Sequence, residues 1–152
     1  MTAHVFDTSS LLKLYHPEPG TAGVEALLAA PNGRRVISRL TRVEVHSALA
    51  KLVRMNRITP GEFHQLVELF RSDLRAKRFQ VVRPLVAHHD SAEELIRRHG
   101  LTHNLRTQDA IQLAVALGQN SAAEPVTLVT SDLPLGEVAA LEGLAVFNPD
   151  VA

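Results

Sequence analysis

Short apolar runs alternate with longer amphipathic segments along the whole of this 152-residue chain. Such alternation is typical of an α/β fold with a parallel sheet, because each strand needs a helical crossover to reach the next one. No repeat, low-complexity tract or long linker interrupts the pattern, so we predict a single domain over residues 1–152. Five runs are predicted to be strands: Ala3–Phe6, Arg35–Ser38, Phe79–Arg83, Val126–Thr130 and Ala145–Phe147.

Helical segments lie between these strands. Thr59, Pro60 and Glu62 are typical of an N-cap, a first-turn proline and a capping box, so a helix is predicted to begin there. The preceding segment, Leu40–Met55, carries its apolar residues on one stripe, and the two helices are predicted to form a hairpin. A further helix, Arg106–Gly118, is apolar on nearly all sides and is predicted to lie buried against the sheet.

Several kinds of site are excluded by what the sequence lacks. The chain has no cysteine, which excludes disulfides, thiolate nucleophiles and cysteine-ligated zinc or iron–sulfur centres. The eight histidines do not have zinc-site spacing, since Gly100 lies between the nearest useful pair, His99 and His103. Met1 leads into the first strand without a basic leader, and no apolar run is long enough to span a bilayer. We therefore expect a cytoplasmic protein that makes no membrane contact.

The net charge of zero hides an uneven distribution of charge. Residues 1–98 contain fifteen of the sixteen Lys and Arg residues and ten acids, whereas residues 99–152 contain only Arg106 and six acids. A polyanion would therefore lie along the first two thirds of the chain, although scattered surface charge explains the same counts. Much of the positive charge belongs to the predicted hairpin: Arg39, Arg42, Lys51, Arg54, Arg57, Arg71, Arg75, Lys77 and Arg78.

Two acids follow predicted strands at their carboxyl ends. Asp7 comes directly after the first strand, and Asp132 comes shortly after the strand Val126–Thr130. Ligands of open α/β sheets bind at the carboxyl ends of the strands, so the two acids are candidates for one shared site. Each also has a structural explanation, because Asp7 can cap a helix predicted over Leu11–Tyr15 and Asp132 can belong to a turn.

Two further acids lie on predicted helices. Asp109 shares a face of the buried helix with Leu113 and Ala116, where an ionised carboxylate is costly unless it is paired or bound to a cation. Its first-turn position, where the helix dipole favours an acid, is the alternative explanation. Glu44 lies beside the apolar stripe of Leu40–Met55, also near a helix start. A cluster of such carboxylates is suited to Mg²⁺ or Mn²⁺, which bind oxygen ligands and phosphate and activate water for phosphoryl transfer.

The segments around these four acids resemble the motifs of PIN-domain ribonucleases, in particular the VapC-like toxins of type II toxin–antitoxin systems. Nearly the whole chain is covered. The matching segments are Val5–Tyr15 (VFDTSSLLKLY), Leu40–Leu52 (LTRVEVHSALAKL), Leu105–Ala116 (LRTQDAIQLAVA), Leu128–Leu133 (LVTSDL) and Glu142–Pro149 (EGLAVFNP). The resemblance implies a five-stranded parallel sheet of order 3-2-1-4-5, flanked by helices.

The resemblance also implies a function and a set of site residues. It implies an endoribonuclease that uses one or two Mg²⁺ or Mn²⁺ ions, cuts RNA, is inhibited by a cognate antitoxin and forms a homodimer. The implied catalytic and metal-binding residues are Asp7, Glu44, Asp109 and Asp132, supported by Thr8, Ser9, Thr130 and Ser131. Gln112 stands where relatives often have histidine, which makes one supporting contact uncertain without affecting the acids.

Two rival functions are considered. A phosphatase of the haloacid-dehalogenase or response-regulator kind would use a strand-end aspartate, but such phosphatases need a second acid two residues later, where this chain has Ser9. A catalytically silent PIN domain would bind RNA or a partner protein without cutting. The presence of all four acids argues against that second rival.

Overall fold

The sheet of the protein is described by a computed structural model that covers residues 2–151. Its five strands are all parallel and lie in the order β3-β2-β1-β4-β5. Their bounds are Ala3–Phe6 (β1), Arg34–Ser38 (β2), Gln80–Val82 (β3), Val126–Val129 (β4) and Ala145–Phe147 (β5). The predicted fold class and strand order are confirmed.

The edge strand β3 is shorter than predicted. It pairs with β2 through only three residues, Gln80 to Val82, and no strand among residues 2–151 pairs with its other side. Phe79, predicted to belong to the strand, is instead buried in the core beside its start. The predicted last residue, Arg83, precedes Pro84, which has no backbone N–H with which to continue a ladder.

Seven helices connect the strands within the described residues. They are Thr8–Leu12 (α1), Thr21–Ala29 (α2), Arg39–Arg54 (α3), Pro60–Arg75 (α4), Val86–His99 (α5), Thr107–Gln119 (α6) and Leu133–Leu141 (α7). None of them is long and apolar enough to cross a membrane. The capping box that begins α4 is confirmed, because the Glu62 backbone N–H donates to Thr59 Oγ1 (3.1 Å) and Glu62 Oε2 accepts from the Thr59 N–H (2.8 Å).

The first helix was predicted with the wrong bounds. It covers Thr8–Leu12 and not Leu11–Tyr15, because Asp7 is its N-cap and accepts a hydrogen bond from the Ser10 backbone N–H. An N-cap fixes the start of a helix at the next residue. The chain therefore turns from β1 into α1 at Asp7 itself, and this carboxylate is held at the edge of the sheet.

Each face of the sheet has its own hydrophobic core. Val5 and Leu128 point to the face covered by α5, α6 and α7, whereas the next residues along, Phe6 and Val129, point to the face covered by α1 to α4. The predicted burial of α6 is confirmed, since Leu113 has no exposed side-chain surface. Two covered faces leave the carboxyl edge of the sheet as the place where α1, α3 and α6 meet.

Candidate active site

Asp7 is buried at the junction of β1 and α1, with 4% of its surface exposed. Its carboxylate accepts hydrogen bonds from Ser9 Oγ (2.8 Å to both oxygens), the Ser10 backbone N–H (2.9 Å) and Thr130 Oγ1 (2.5 Å). Burial raises the pKa of Asp7, and these hydrogen bonds offset part of that effect. The carboxylate is therefore fixed in position by donors from α1 and from Thr130, the residue that follows β4.

Glu44 reaches the same site from α3. Its Oε1 atom accepts hydrogen bonds from Thr8 Oγ1 (2.9 Å) and from the side-chain amide of Gln112 on α6. Burial raises the pKa of Glu44, and the negative charges of Asp109 and Asp7 raise it further. Gln112, the residue that departs from the family pattern, thus supplies a donor that orients the second acid and also contacts Thr8 Oγ1 (3.2 Å).

Asp109 lies in the first turn of α6 and is 8% exposed. Burial raises its pKa; a hydrogen bond from Arg106 Nε to Asp109 Oδ2 (3.2 Å) lowers it, and the charge of Asp132 raises it again. Asp132 is the N-cap of α7, where its Oδ1 accepts from the Leu135 backbone N–H (3.0 Å). Asp132 is therefore a helix cap and not the turn residue considered as its structural explanation. Its other carboxylate oxygen lies 3.5 Å from Arg106 Nη2.

One pocket of about 570 Å³ brings the four acids together. Thr8, Ser9 and Gln112 also line it, and two basic residues of α3, Lys51 and Arg54, lie along its side. The other basic residues of the predicted helical hairpin do not line this pocket. A cavity of similar size lies between α5 and α6 and contains none of the four acids. The four predicted acids, Thr8 and Ser9 thus share one cleft, whose acidic floor lies beside a basic wall, whereas Thr130 and Ser131 do not line it.

The supporting residues make different contacts. Thr8 binds Glu44, whereas Ser9 and Thr130 bind Asp7. Thr130 Oγ1 also accepts from the Asp132 backbone N–H (3.0 Å), so one hydroxyl links two acids. Ser131 contributes its backbone N–H to Ser9 Oγ (3.0 Å), while its own buried hydroxyl has no hydrogen-bond partner among residues 2–151.

Three residues of the site were missed as functional candidates in the sequence. Ser10 Oγ donates to the Val129 carbonyl (2.7 Å) and to the Asp7 carbonyl (3.1 Å), which ties α1 to the end of β4. Gln112 was noticed only as a departure from the family. Arg106 could have been found from its spacing, because a base three residues before an acid on a helix can pair with it.

The donor set is chemically suited to a divalent cation. Four carboxylates line one pocket, and the pKa values of three of them, Asp7, Glu44 and Asp109, are raised. A cation in the pocket would lower these pKa values, because it stabilises the ionised carboxylates. Within the described part of the chain, however, no three His, Asp or Glu side chains are already arranged to hold one ion. Hydroxyls, Gln112 and Arg106 occupy the oxygens that such an ion would need. The residues fit a metal ion by their chemistry, and ion binding requires these contacts to rearrange.

Comparison with known proteins identifies similar folds. The model of the PIN domain family matches residues 4–141. No curated protein sequence gives a significant match. Solved structures that resemble the chain include VapBC2 from Rickettsia felis bound to a promoter DNA fragment (17% identity, TM-score 0.67, 97% of this chain and 98% of that chain). Others are FitAcB from Neisseria gonorrhoeae (23%, 0.64, 96% and 97%) and a toxin–antitoxin complex from Klebsiella pneumoniae (20%, 0.63, 97% and 98%). At these identities the structural likeness concerns the fold.

Proposed function

Since the chain belongs to the PIN domain family, whose members are generally metal-dependent nucleases, we propose that it is an endoribonuclease that hydrolyses RNA with Mg²⁺ or Mn²⁺. The observation that carries this proposal is the meeting of Asp7, Glu44, Asp109 and Asp132 in one pocket from four separate elements. The choice of RNA rests on the resemblance of its motifs to VapC-like ribonucleases. The phosphatase rival has no second acid at Ser9 to support it.

The residues of the site have distinct tasks in this proposal. Asp7, Glu44 and Asp109 would hold the ion directly, and Asp132 would complete the set. When bound there, Mg²⁺ or Mn²⁺ would polarise a water molecule for attack and neutralise charge on the phosphate. Ser9 and Thr130 keep Asp7 in place, while Thr8 and Gln112 orient Glu44. Fixed carboxylates of this kind reduce the reorganisation that the reaction requires.

Helix α3 supplies a track for the nucleic acid backbone. Lys51 and Arg54 follow Glu44 by seven and ten residues, which places them roughly 10 and 15 Å further along the helix axis. Both side chains are exposed, line the acidic pocket and form no ion pair among residues 2–151. They are therefore available to bind phosphates that flank the one to be cut.

The proposed partners follow from the family. We propose a cytoplasmic toxin whose acidic pocket is covered by a cognate antitoxin, and which forms a homodimer. A similar solved structure from Klebsiella pneumoniae, described as a toxin–antitoxin complex, supports the antitoxin. A second candidate, a silent PIN domain that binds RNA or protein, is favoured by one observation: the acids are not arranged as a ready metal site in the described residues.

Metal dependence decides between these two candidates. Purified protein is expected to cut a mixed pool of structured and single-stranded RNA in Mg²⁺ or Mn²⁺, to stop in excess EDTA, and to resume when Mn²⁺ is restored. Cleavage products are resolved on denaturing gels. Undiminished cleavage in excess chelator contradicts the metal mechanism. A folded protein that binds this RNA in Mn²⁺ and never cuts it supports the silent candidate.

The α3 track is tested by RNA affinity. Lys51→Gln and Arg54→Gln are each expected to weaken single-stranded RNA binding several-fold and to reduce the slope of log K against log salt by about 0.7, the loss of one phosphate contact. Fluorescence anisotropy over a salt series measures both quantities, with EDTA present to prevent cutting. Arg71→Gln is the matched control, because Arg71 is exposed on α4 and does not line the pocket. Equal losses in all three variants would mean that only overall charge matters.

A further inference from the structure

Arg106 is the only base that contacts the acids of the pocket within residues 2–151. It is the N-cap residue of α6, and its side chain makes no cap hydrogen bond there. The guanidinium instead lies across two acids, with Nε 3.2 Å from Asp109 Oδ2 and Nη2 3.5 Å from Asp132 Oδ2. The two acids belong to different helices, so Arg106 bridges α6 and α7 at the mouth of the pocket.

The side chain of Arg106 is 65% exposed, whereas that of Asp109 is 12% exposed. An ion pair with one largely exposed partner is weak, because water and salt compete for the exposed group. The arginine can therefore leave without disturbing the core, and the aspartates remain where their helices hold them. The contact behaves as an exchangeable pairing and not as a structural link.

A divalent ion in this pocket would need the same carboxylate oxygens that Arg106 now occupies. Mg²⁺ and Mn²⁺ bind carboxylate oxygens directly, so the guanidinium and the ion compete for Asp109 and Asp132. A guanidinium released from a carboxylate has the planar donor fork that also fits a phosphate. Lys51 and Arg54 lie along the same pocket, so three basic side chains, counting Arg106, surround the acids.

We propose that Arg106 is a counter-cation of this site. It pairs with Asp109 and Asp132 in the metal-free protein, is displaced from them by a divalent ion, and then binds a phosphate of the nucleic acid. This inference rests on the proposed nuclease function. Arg106 would then couple binding of the divalent ion to binding of the nucleic acid, because the ion releases the arginine that binds the phosphate. Coupling of this kind is reciprocal, so RNA also strengthens binding of the ion.

The experiment measures binding and not cleavage. Isothermal titration with Mn²⁺ in the absence of RNA compares the wild type, Arg106→Gln and Lys51→Gln. Arg106→Gln is expected to bind Mn²⁺ at least about fivefold more tightly than the wild type, because the competing cation is gone. Lys51→Gln removes one positive charge from the same pocket without removing a contact to an acid, and its Mn²⁺ affinity should change by less than about twofold. Circular dichroism verifies that each variant is folded.

Anisotropy with a labelled single-stranded RNA, in EDTA and in Ca²⁺, measures the coupling, with the RNA checked for integrity on a gel. Ca²⁺ is expected to increase the RNA affinity of the wild type and of Lys51→Gln more than that of Arg106→Gln. An unchanged or weaker Mn²⁺ affinity in Arg106→Gln overturns the counter-cation role, and so does an equal Ca²⁺ effect in all three proteins. A wild-type protein that binds no Mn²⁺ overturns the proposed metal-dependent function as well. Failure of the Arg106 proposal alone is thereby distinguished from failure of the proposed function.

Discussion

Replacing Asp7 with asparagine is expected to remove RNA cleavage while the protein stays folded. Asparagine has the same shape and caps helices as well as aspartate does, so the start of α1 is kept. It lacks the negative charge needed to hold a divalent ion. Loss of a residue that only orients a metal ligand costs about 10- to 100-fold, so loss of a direct ligand should reduce the cleavage rate by more than about 100-fold. Initial rates of RNA cleavage in saturating Mn²⁺ measure the effect.

The matched control for that variant is Asp90→Asn. Asp90 is an exposed acid on α5, away from the pocket, so the same change of charge should leave the cleavage rate within about twofold of the wild type. Thermal melts compare the folding of the two variants. A folded Asp7→Asn protein that cuts RNA at the wild-type rate would remove Asp7 from the catalytic set.

The second large effect concerns Asp109 and the metal. In the proposed mechanism Mn²⁺ binds the folded site and not the unfolded chain, so at one hundred times its Kd it should raise the wild-type Tm by about 5–10 °C. Asp109→Asn is expected to lose most of this increase and to lose cleavage. In EDTA at pH 7 the variant should melt no lower than the wild type, because burial of an ionised carboxylate opposes folding.

The pH dependence of the apo protein follows from the same residue. Burial raises the pKa of Asp109, so the folded state keeps this proton to a higher pH than the unfolded chain does. Its contribution to stability is fully present below the unfolded value of 3.8 and is lost as pH rises through the folded pKa. As pH rises from 3.8 through the folded pKa of Asp109, the Asp109→Asn variant should therefore lose less stability than the wild type. Melts in EDTA over a pH series measure this difference, and a destabilised but active variant would contradict the assignment.

The sequence predicts the fold well because the signals for it are local. Each buried strand is a short apolar run, and the capping box of α4 is complete within four residues, Thr59 to Glu62. The strand order comes from the resemblance of the motifs, since no pattern within a strand states which strand lies beside it. The error in α1 has a local cause: Asp7 was weighed as a cap, but the helix was placed three residues too late.

Part of the site could also be predicted from the sequence, and part could not. Asp7 and Asp132 were identified because ligands of open α/β sheets bind at the carboxyl ends of strands. Asp109 was identified because a buried helix face is a costly place for an ionised carboxylate. Glu44 was included because of the other three acids and the resemblance of its motif. Their partners were harder to predict, since the contact of Gln112 with Glu44 and that of Ser10 with Val129 join residues distant in sequence. Arg106 is close to Asp109 in sequence, but its second contact, with Asp132, depends on how α6 and α7 meet.

Asp7 and Asp132 each begin a helix with the same side chain that is proposed to hold the ion. A change from aspartate to asparagine at either position keeps the cap and deletes the charge. In evolutionary terms, a cutting enzyme of this design lies one substitution away from a stable protein that binds nucleic acid without cutting it. Loss of activity would then leave the fold free to diverge under selection for binding alone, without first passing through an unstable intermediate.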